Sequence, residues 1–155
     1  MAGWKKICCA IDFSAPSRAA LLEAAELSRQ LGAQLTLAHV HHPRTRTGRN
    51  LASVSKELEM AAEELRRKLD RLRFEAERIA QRAVPTTVLS GNPASEILQF
   101  ARANGMDAIV LGTHGRRGVS RLLPTSVAER VAREAPCPVI LVRSDGDRAV
   151  QSHVN

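Results

Sequence analysis

The sequence predicts an α/β domain in which a five-stranded parallel sheet is covered by helices on both faces. Short apolar runs alternate with amphipathic segments along the 155 residues. Serine, asparagine, proline and glycine stand where the helices would begin or end. Five strands that alternate with four helices require right-handed crossovers, which make the strands parallel. The length suits one domain, placed at residues 1–143, with a polar tail at residues 144–155.

The first strand is residues 5–11, an apolar run that ends before Asp12 and is predicted to be central and buried on both faces. Either Ser14 or Ser17 caps the helix that follows, with Pro16 in its first turn. One apolar face runs along this helix and predicts how it packs on the sheet. Its members are Ala20, Leu21, Ala24, Leu27, Ser28 and Leu31.

The second strand is residues 33–40, and a polar loop at residues 41–50 precedes a long helix. An apolar stripe at alternating steps of three and four residues follows this helix from Leu51 to Ile79. A coiled coil would show the same stripe. Because a helix lying along a sheet needs it too, the strand–helix alternation favours packing on the sheet.

The rest of the chain repeats the pattern. Pro85 weakens the third strand, which indicates an edge position or a late start. The next helix begins at Asn92-Pro93 and closes at Asn104-Gly105. The remaining predicted elements are strand three at residues 82–89, strand four at 106–111, a helix at 126–135 and strand five at 139–142.

A glycine-rich basic loop joins the fourth strand to the last helix and is the strongest functional signal. It contains Gly112, Gly115, Gly118, Arg116, Arg117 and Arg121. Ser126, three residues before Glu129, has the spacing of a capping box at the helix N-terminus. Backbone N–H groups and a helix dipole directed at one volume predict an anion site, such as one for phosphate. The spacing is neither a P-loop nor a dinucleotide fingerprint.

Other polar residues at strand ends have two open roles each. Asp12 suits either a ribose or metal-bound phosphate contact or a stabilising charge at a helix N-terminus. Ser14 is interpreted as a cap rather than a nucleophile, and His114 either donates to phosphate or is exposed. His39, His41 and His42 alternate between faces of a strand, which disfavours a metal site. The sequence shows no catalytic triad, carboxylate pair or zinc set.

Composition excludes several function classes. The net charge of +7 invites nucleic-acid binding, but there is no Tyr, only one Trp and no recognised nucleic-acid motif, so that function is not expected. The apolar run after the N-terminus is too short for a signal peptide or membrane span. The three cysteines, Cys8, Cys9 and Cys137, do not form a disulfide pattern and are expected to be reduced packing residues in a cytoplasmic protein.

The chain resembles the universal stress protein family. The resemblance rests on Ile7 to Ser14, with an Asp-x-Ser ending, and on the stretch from Gly112 to Arg143. It implies a Rossmann-like domain, a homodimer formed through the last strand, and a subfamily that binds ATP, AMP or ADP, with Mg²⁺ as a further candidate. It also implies that Asp12 holds ribose or adenine between Ala10 and Val40, within the turn that includes Phe13 and Ser14. Gly112, His114, Gly115, Arg116, Thr125, Ser126 and Val127 would surround the phosphates.

Thr125 departs from the subfamily pattern, which has glycine before the hydroxyl residue. A β-branched residue would be strained at positive φ and would crowd the phosphates, whereas at negative φ its hydroxyl adds a donor. The expected function is therefore a nucleotide-binding regulator of the stress response with an unidentified protein partner. The alternatives are a nucleotide-free interaction module, closed by Thr125, and a slow ATPase or kinase-like enzyme.

Overall fold

The computed structural model describes residues 3–42, 50–113 and 126–144, and within them it confirms the predicted α/β fold. The strands form one parallel sheet in the order β3-β2-β1-β4-β5. The elements in chain order are β1 (Lys6–Ile11), α1 (Ala15–Leu31), β2 (Gln34–His41), α2 (Leu51–Ala80), β3 (Thr86–Ser90), α3 (Pro93–Asn104), β4 (Ala108–Thr113), α4 (Val127–Glu134) and β5 (Val139–Arg143).

The sheet separates two apolar layers. Helices α1 and α2 cover one face, and α3 and α4 cover the other. Cys9 belongs to the first layer and Cys8 to the second, so the two neighbours point to opposite faces as predicted. Burial raises the pKa of the Cys8 thiol to about 12 and that of Cys9 well above its usual range. Both are free thiols in the central strand, where they pack as small apolar side chains.

Caps fix where the helices begin and end. The Ser14 hydroxyl accepts the Ser17 N–H at 3.2 Å and starts α1, which decides between the two serines proposed as its cap. The Asn92 side chain does the same for α3 by accepting the Ser95 N–H at 3.1 Å. Gly32 and Gly105 end α1 and α3 at φ values of 66° and 60°, which glycine adopts without steric cost.

Several details differ from the sequence-based prediction. β3 starts only after Pro85, whose carbonyl accepts the Leu37 N–H at 2.9 Å, and it is also an edge strand, so both predicted alternatives are confirmed. β4 starts two residues later than predicted and continues through Gly112 to Thr113, because these two residues pair with β5. Leu31, placed on the buried face of α1, is 49% exposed because the helix ends there.

Helix α2 is longer than the sheet it packs on. Its 30 residues span about 45 Å, whereas strands of five to eight residues reach about 17–27 Å. In its C-terminal half Leu69 and Ala76 are buried, but in its N-terminal half Leu58 is 63% exposed. The prediction that the stripe packs on the sheet is therefore confirmed for one half of the helix only. None of the described helices is long and apolar enough to span a membrane.

Candidate functional site at the carboxyl edge of the sheet

The strand order reverses between β1 and β4, which are neighbours although α1, β2, α2, β3 and α3 separate them in sequence. Ligands of open parallel sheets bind at such points, outside the carboxyl ends of the strands. Among the described residues, the β1–β4 ladder ends at the pair Cys9 and Val110, although β1 continues to Ile11 and β4 to Thr113. The two strands thus stop pairing before they reach the carboxyl edge, and Asp12 and Gly112 lie on either side of that point.

Asp12 organises the turn between β1 and α1. Its Oδ1 atom accepts the Ser14 N–H at 2.9 Å, and its own N–H donates to the Ser17 hydroxyl at 3.3 Å. Asp12 thus forms an Asx turn just before Ser14, the cap of α1, and lies outside the first turn of that helix, which has no acidic residue. Asp12 is also exposed, which keeps its carboxylate at the surface of the crevice. Its contact with a ribose or phosphate stays a prediction.

Ser14 is held by this turn in a structural role. Its hydroxyl accepts the Ser17 N–H, and its carbonyl accepts the Ser17 hydroxyl proton at 3.2 Å. Ser17 is 4% exposed, and sequence reasoning noticed it only as an alternative cap. In the structure it links the end of β1 to the first turn of α1. The Ser14 hydroxyl is used to accept the Ser17 N–H, which supports its interpretation as a cap.

Gly112 has a packing role that the sequence did not reveal. A Cβ atom at this position would lie 2.5 Å from the Ser17 nitrogen and closer still to the carbonyl group of Pro16. Both neighbours are backbone atoms of the first turn of α1, which cannot yield as a flexible side chain would. Glycine at position 112 is therefore required for α1 to approach β4, whatever its role toward an anion.

Ala10 and Val40 lie on the face of the sheet covered by α3 and α4. The register that pairs Ile11 with His39 brings Asp12 level with Val40, so these residues form one wall of the crevice. Ala10 is 8% exposed and Val40 is half-buried.

Phe13 is directed to the opposite face. Its ring packs against the layer formed with α1 and α2, 4.8 Å from the His39 ring and 5.7 Å from Lys68 Nζ. Its φ of 66° is rare for an aromatic residue and is held by the Asx turn of Asp12. The structure therefore does not bring Phe13 together with Ala10 and Val40, although all three are site candidates.

The N-terminus of α4 contributes the second half of the site. The Ser126 hydroxyl accepts the Glu129 N–H at 3.1 Å, which confirms Ser126 as the cap. Val127 follows and is 40% exposed. In a parallel sheet the helix that leads to the next strand begins at the carboxyl edge, so α4 directs its first N–H groups and positive dipole end to that edge. That geometry suits an anion.

The histidines at the end of β2 act as structural donors. His39 Nδ1 donates to the Ile11 carbonyl at 2.8 Å, and His42 Nδ1 donates to the Gly91 carbonyl at 3.2 Å. Within the described ranges, no three histidine, cysteine or acidic side chains are grouped in a way that could hold a metal ion. Four site candidates lie outside the described residues, namely His114, Gly115, Arg116 and Thr125, together with the other arginines of the glycine loop.

Known proteins match nearly the whole chain. The family model of the universal stress protein family matches residues 3–143. The universal stress protein YxiE of Bacillus subtilis is 31% identical over 147 residues, which cover 90% of this chain and 99% of that protein. The solved structure of a universal stress protein from Lactobacillus plantarum is 26% identical, with a TM-score of 0.76, and covers 92% of this chain and 100% of its own.

A further solved structure is described with a nucleotide. It is a universal stress protein family protein from Arabidopsis thaliana with AMP bound, which is 16% identical to this chain and has a TM-score of 0.61. The match covers 96% of this chain and 97% of the other. At that identity the likeness shows a shared fold.

Proposed function

The chain belongs to the universal stress protein family, and on that premise we propose that it is an adenine-nucleotide-binding regulatory protein of the stress response. The observation that carries the proposal is the point where β1 and β4 stop pairing, with Asp12, Gly112 and the α4 N-terminus at the same edge of the sheet. A crevice with a carboxylate on one side and a helix N-terminus on the other can bind ribose hydroxyls and phosphates together.

The apolar wall of Ala10 and Val40 suits the adenine ring, and Asp12 lies level with Val40 to accept hydrogen bonds from the ribose hydroxyls. The first N–H groups of α4, beginning at Val127, suit the phosphates, with Gly115 and Arg116 of the glycine loop as further donors. The AMP described with the Arabidopsis protein supports this choice of ligand, since the two chains share a fold. ATP with Mg²⁺ is the ligand to test first.

The proposed role is regulation rather than catalysis. The Ser14 hydroxyl is used as a helix cap, where it accepts the Ser17 N–H. We expect ATP hydrolysis to be slower than about one turnover per minute, well below the roughly 1–1,000 per second of typical enzymes. Phosphate release by the purified protein measures this. A faster rate would make the chain an ATPase or a kinase-like enzyme instead.

The proposal includes a homodimer formed through β5 in the cytoplasm. β5 is an edge strand of the described sheet, and Leu141 on it is 44% exposed. An apolar edge of this kind needs cover, and a partner strand provides it. The bound nucleotide would then change the surface that the dimer presents to a protein partner.

Isothermal titration of the nucleotide-stripped protein with ATP and Mg²⁺, and separately with AMP, tests the nucleotide proposal. We expect a Kd in the micromolar range for the natural sequence. Thr125→Gly serves as the matched variant, because Thr125 stands where nucleotide-binding relatives are expected to have glycine. If only Thr125→Gly binds, the second candidate function is supported, namely a nucleotide-free interaction module. If neither protein binds, the nucleotide proposal is wrong.

A further inference from the structure

The outward side of the C-terminal half of α2 carries an exposed aromatic ring among arginines. Phe74 is 65% exposed and lies on the opposite side of the helix from Ala76, which is buried on the domain. Three arginines lie on the same side as Phe74, two of them before it and one after it, namely Arg67, Arg71 and Arg78. These three arginines and Phe74 are all exposed, and together they form the outer patch, which is about 17 Å long.

The acidic side chains in this part of α2 are already paired with other cations. Asp70 and Glu77 both contact Arg73, at 3.3 and 3.5 Å. Glu75 is directed to α1, where it pairs with Arg18. These carboxylates therefore leave the arginines of the outer patch available to an external anion.

The arginines of the outer patch have few partners of their own. In the part of the chain that the structure describes, Arg71 and Arg78 form no ion pair. Arg67 has a long contact of 3.6 Å to Glu63. Glu63 and Glu64 precede the patch and mark its N-terminal end. The outer patch thus has three positive charges, one aromatic ring and no acidic member.

The outer patch is convex, because it follows the ridge of a helix. Two open grooves among the described residues lie elsewhere, between α1 and α2 and between α3 and α4, and of the patch residues only Arg71 borders one of them. A protein partner would need a pocket for the protruding Phe74 ring, whereas the headgroup layer of a bilayer takes up such a ring without one. Arginine stems can lie along apolar surface while the guanidinium groups reach phosphates.

We propose that the outer patch binds the surface of an anionic lipid bilayer. Phe74 enters the headgroup layer, and the three arginines contact the phosphate groups of acidic lipids. An apolar group combined with a cluster of cations supplies the two signals that peripheral membrane binding needs. The net charge of +7 favours the approach of the whole chain to a negative surface.

This inference does not depend on the proposed nucleotide binding. The outer patch lies on the outward side of α2, whereas the observation behind the nucleotide proposal is the separation of β1 from β4 beside the N-terminus of α4. A chain that fails to bind ATP can still bind vesicles, and a chain that fails to bind vesicles can still bind ATP. The two proposals therefore fail separately.

Co-sedimentation of the full chain with large unilamellar vesicles tests the inference. Vesicles that contain equal amounts of phosphatidylglycerol and phosphatidylcholine should bind the protein, whereas vesicles of phosphatidylcholine alone should not. Added salt should weaken the binding, because it screens the arginines from the charged headgroups. Phe74→Ser should lower the partition coefficient about tenfold, and Arg78→Gln should lower it about fivefold.

Each variant has a matched control elsewhere on the surface. Leu31→Ser removes an apolar side chain that is 49% exposed at the end of α1. Arg133→Gln removes the same charge as Arg78→Gln, but from α4, which covers the other face of the sheet. Both controls should bind vesicles as the natural chain does, and circular dichroism shows whether each variant keeps its helix content.

Three results would overturn the inference. The first is no binding to vesicles that contain phosphatidylglycerol. The second is an equal loss in Arg78→Gln and Arg133→Gln, because net charge alone would then be responsible. The third is normal binding by Phe74→Ser. Binding to duplex DNA or to poly-glutamate instead of vesicles would assign the outer patch to another class of polyanion, and would overturn the inference as well.

Discussion

The two edges of the sheet each have an aspartate that accepts backbone N–H groups, but the two are used differently. At the amino edge, Asp107 Oδ2 accepts the N–H groups of Lys5 and Lys6 at 2.8 and 2.9 Å and ties β1 to β4. At the carboxyl edge, Asp12 accepts the Ser14 N–H within its own turn and lies where β1 and β4 no longer pair. The Asp107 carboxylate therefore joins β1 and β4, whereas the Asp12 carboxylate lies at the end where these two strands separate. We therefore expect nucleotide binding to depend on the carboxyl edge and not on the amino edge, whereas both edges contribute to stability.

Gly112→Ala should have the largest effect, because it should lower both the stability of the protein and its nucleotide binding. The added Cβ would overlap backbone atoms of Pro16 and Ser17, so α1 and β4 must separate. We expect a loss of about 3 kcal/mol in the free energy of unfolding, together with loss of nucleotide binding. Urea denaturation measures the first. Gly3→Ala is the control, since nothing lies within 4 Å of a Cβ there. Equal stability of the two variants would contradict the packing role of Gly112.

Asp12→Asn should separate binding from stability. The amide oxygen can still accept the Ser14 N–H, so the thermal midpoint should change little. Loss of a charged acceptor for ribose should weaken ATP binding roughly 10- to 100-fold. Calorimetry gives the binding change and a thermal melt the stability change. If Asp12→Asn melts much lower but binds ATP normally, its turn is the only role of this carboxylate.

Ser126→Ala should affect both quantities moderately. Removing the cap of α4 costs about 1 kcal/mol of stability, and the less ordered helix N-terminus should weaken ATP binding. Asn92→Ala is the comparison variant, because it removes the cap of α3, although it also removes the 3.2 Å hydrogen bond that Arg130 of α4 donates to Asn92 Oδ1. We expect it to lower stability by a similar amount and to leave ATP binding unchanged. Equal loss of binding in both variants would show that general loosening, not the α4 N-terminus, is responsible.

Asp107→Asn should have the smallest effect at neutral pH and be recognised by its pH dependence. The N–H groups of Lys5 and Lys6 lower the pKa of Asp107 from its ordinary value of 3.8. Because the pKa is lower in the folded state, this stabilisation is complete above about pH 3.8 and is lost as the pH falls toward the lowered pKa. The natural protein should therefore lose stability in that window more steeply than Asp107→Asn. Identical slopes in acid urea titrations would contradict the role of this carboxylate.

Most of the fold could be predicted because each element carries its own signals. Apolar runs identified the strands, and Ser14, Asn92 and Ser126 stand at the helix starts that they cap. Boundaries were less accurate where pairing decided them, as in β4, which continues through Gly112 because β5 lies beside it. A glycine promotes a turn locally, but a neighbouring strand can hold it extended.

The candidate site was predicted in part. Sequence pattern placed Asp12 and Ser126 at the ends of elements, and the resemblance suggested Ala10 and Val40 as their neighbours. The contact of Gly112 with Pro16, and the link from Asp12 to Ser17, could not be read from the sequence. Both depend on how closely α1 approaches the sheet. The apolar stripe of α2 also did not predict where this helix is buried. The same spacing continues from the buried C-terminal half into the exposed N-terminal half.

Cys9 and Cys137 can report where the protein opens, because the two thiols are buried to different extents. Cys9 lies in the central strand with no exposed surface, so an alkylating reagent reaches it only when the sheet comes apart. Cys137 lies just before the edge strand β5 and is only partly buried. The ratio of their modification rates in one unaltered molecule therefore compares whole-domain unfolding with fraying at the edge. A protein that covered this edge with a second subunit would slow the modification of Cys137 and leave that of Cys9 tied to global unfolding.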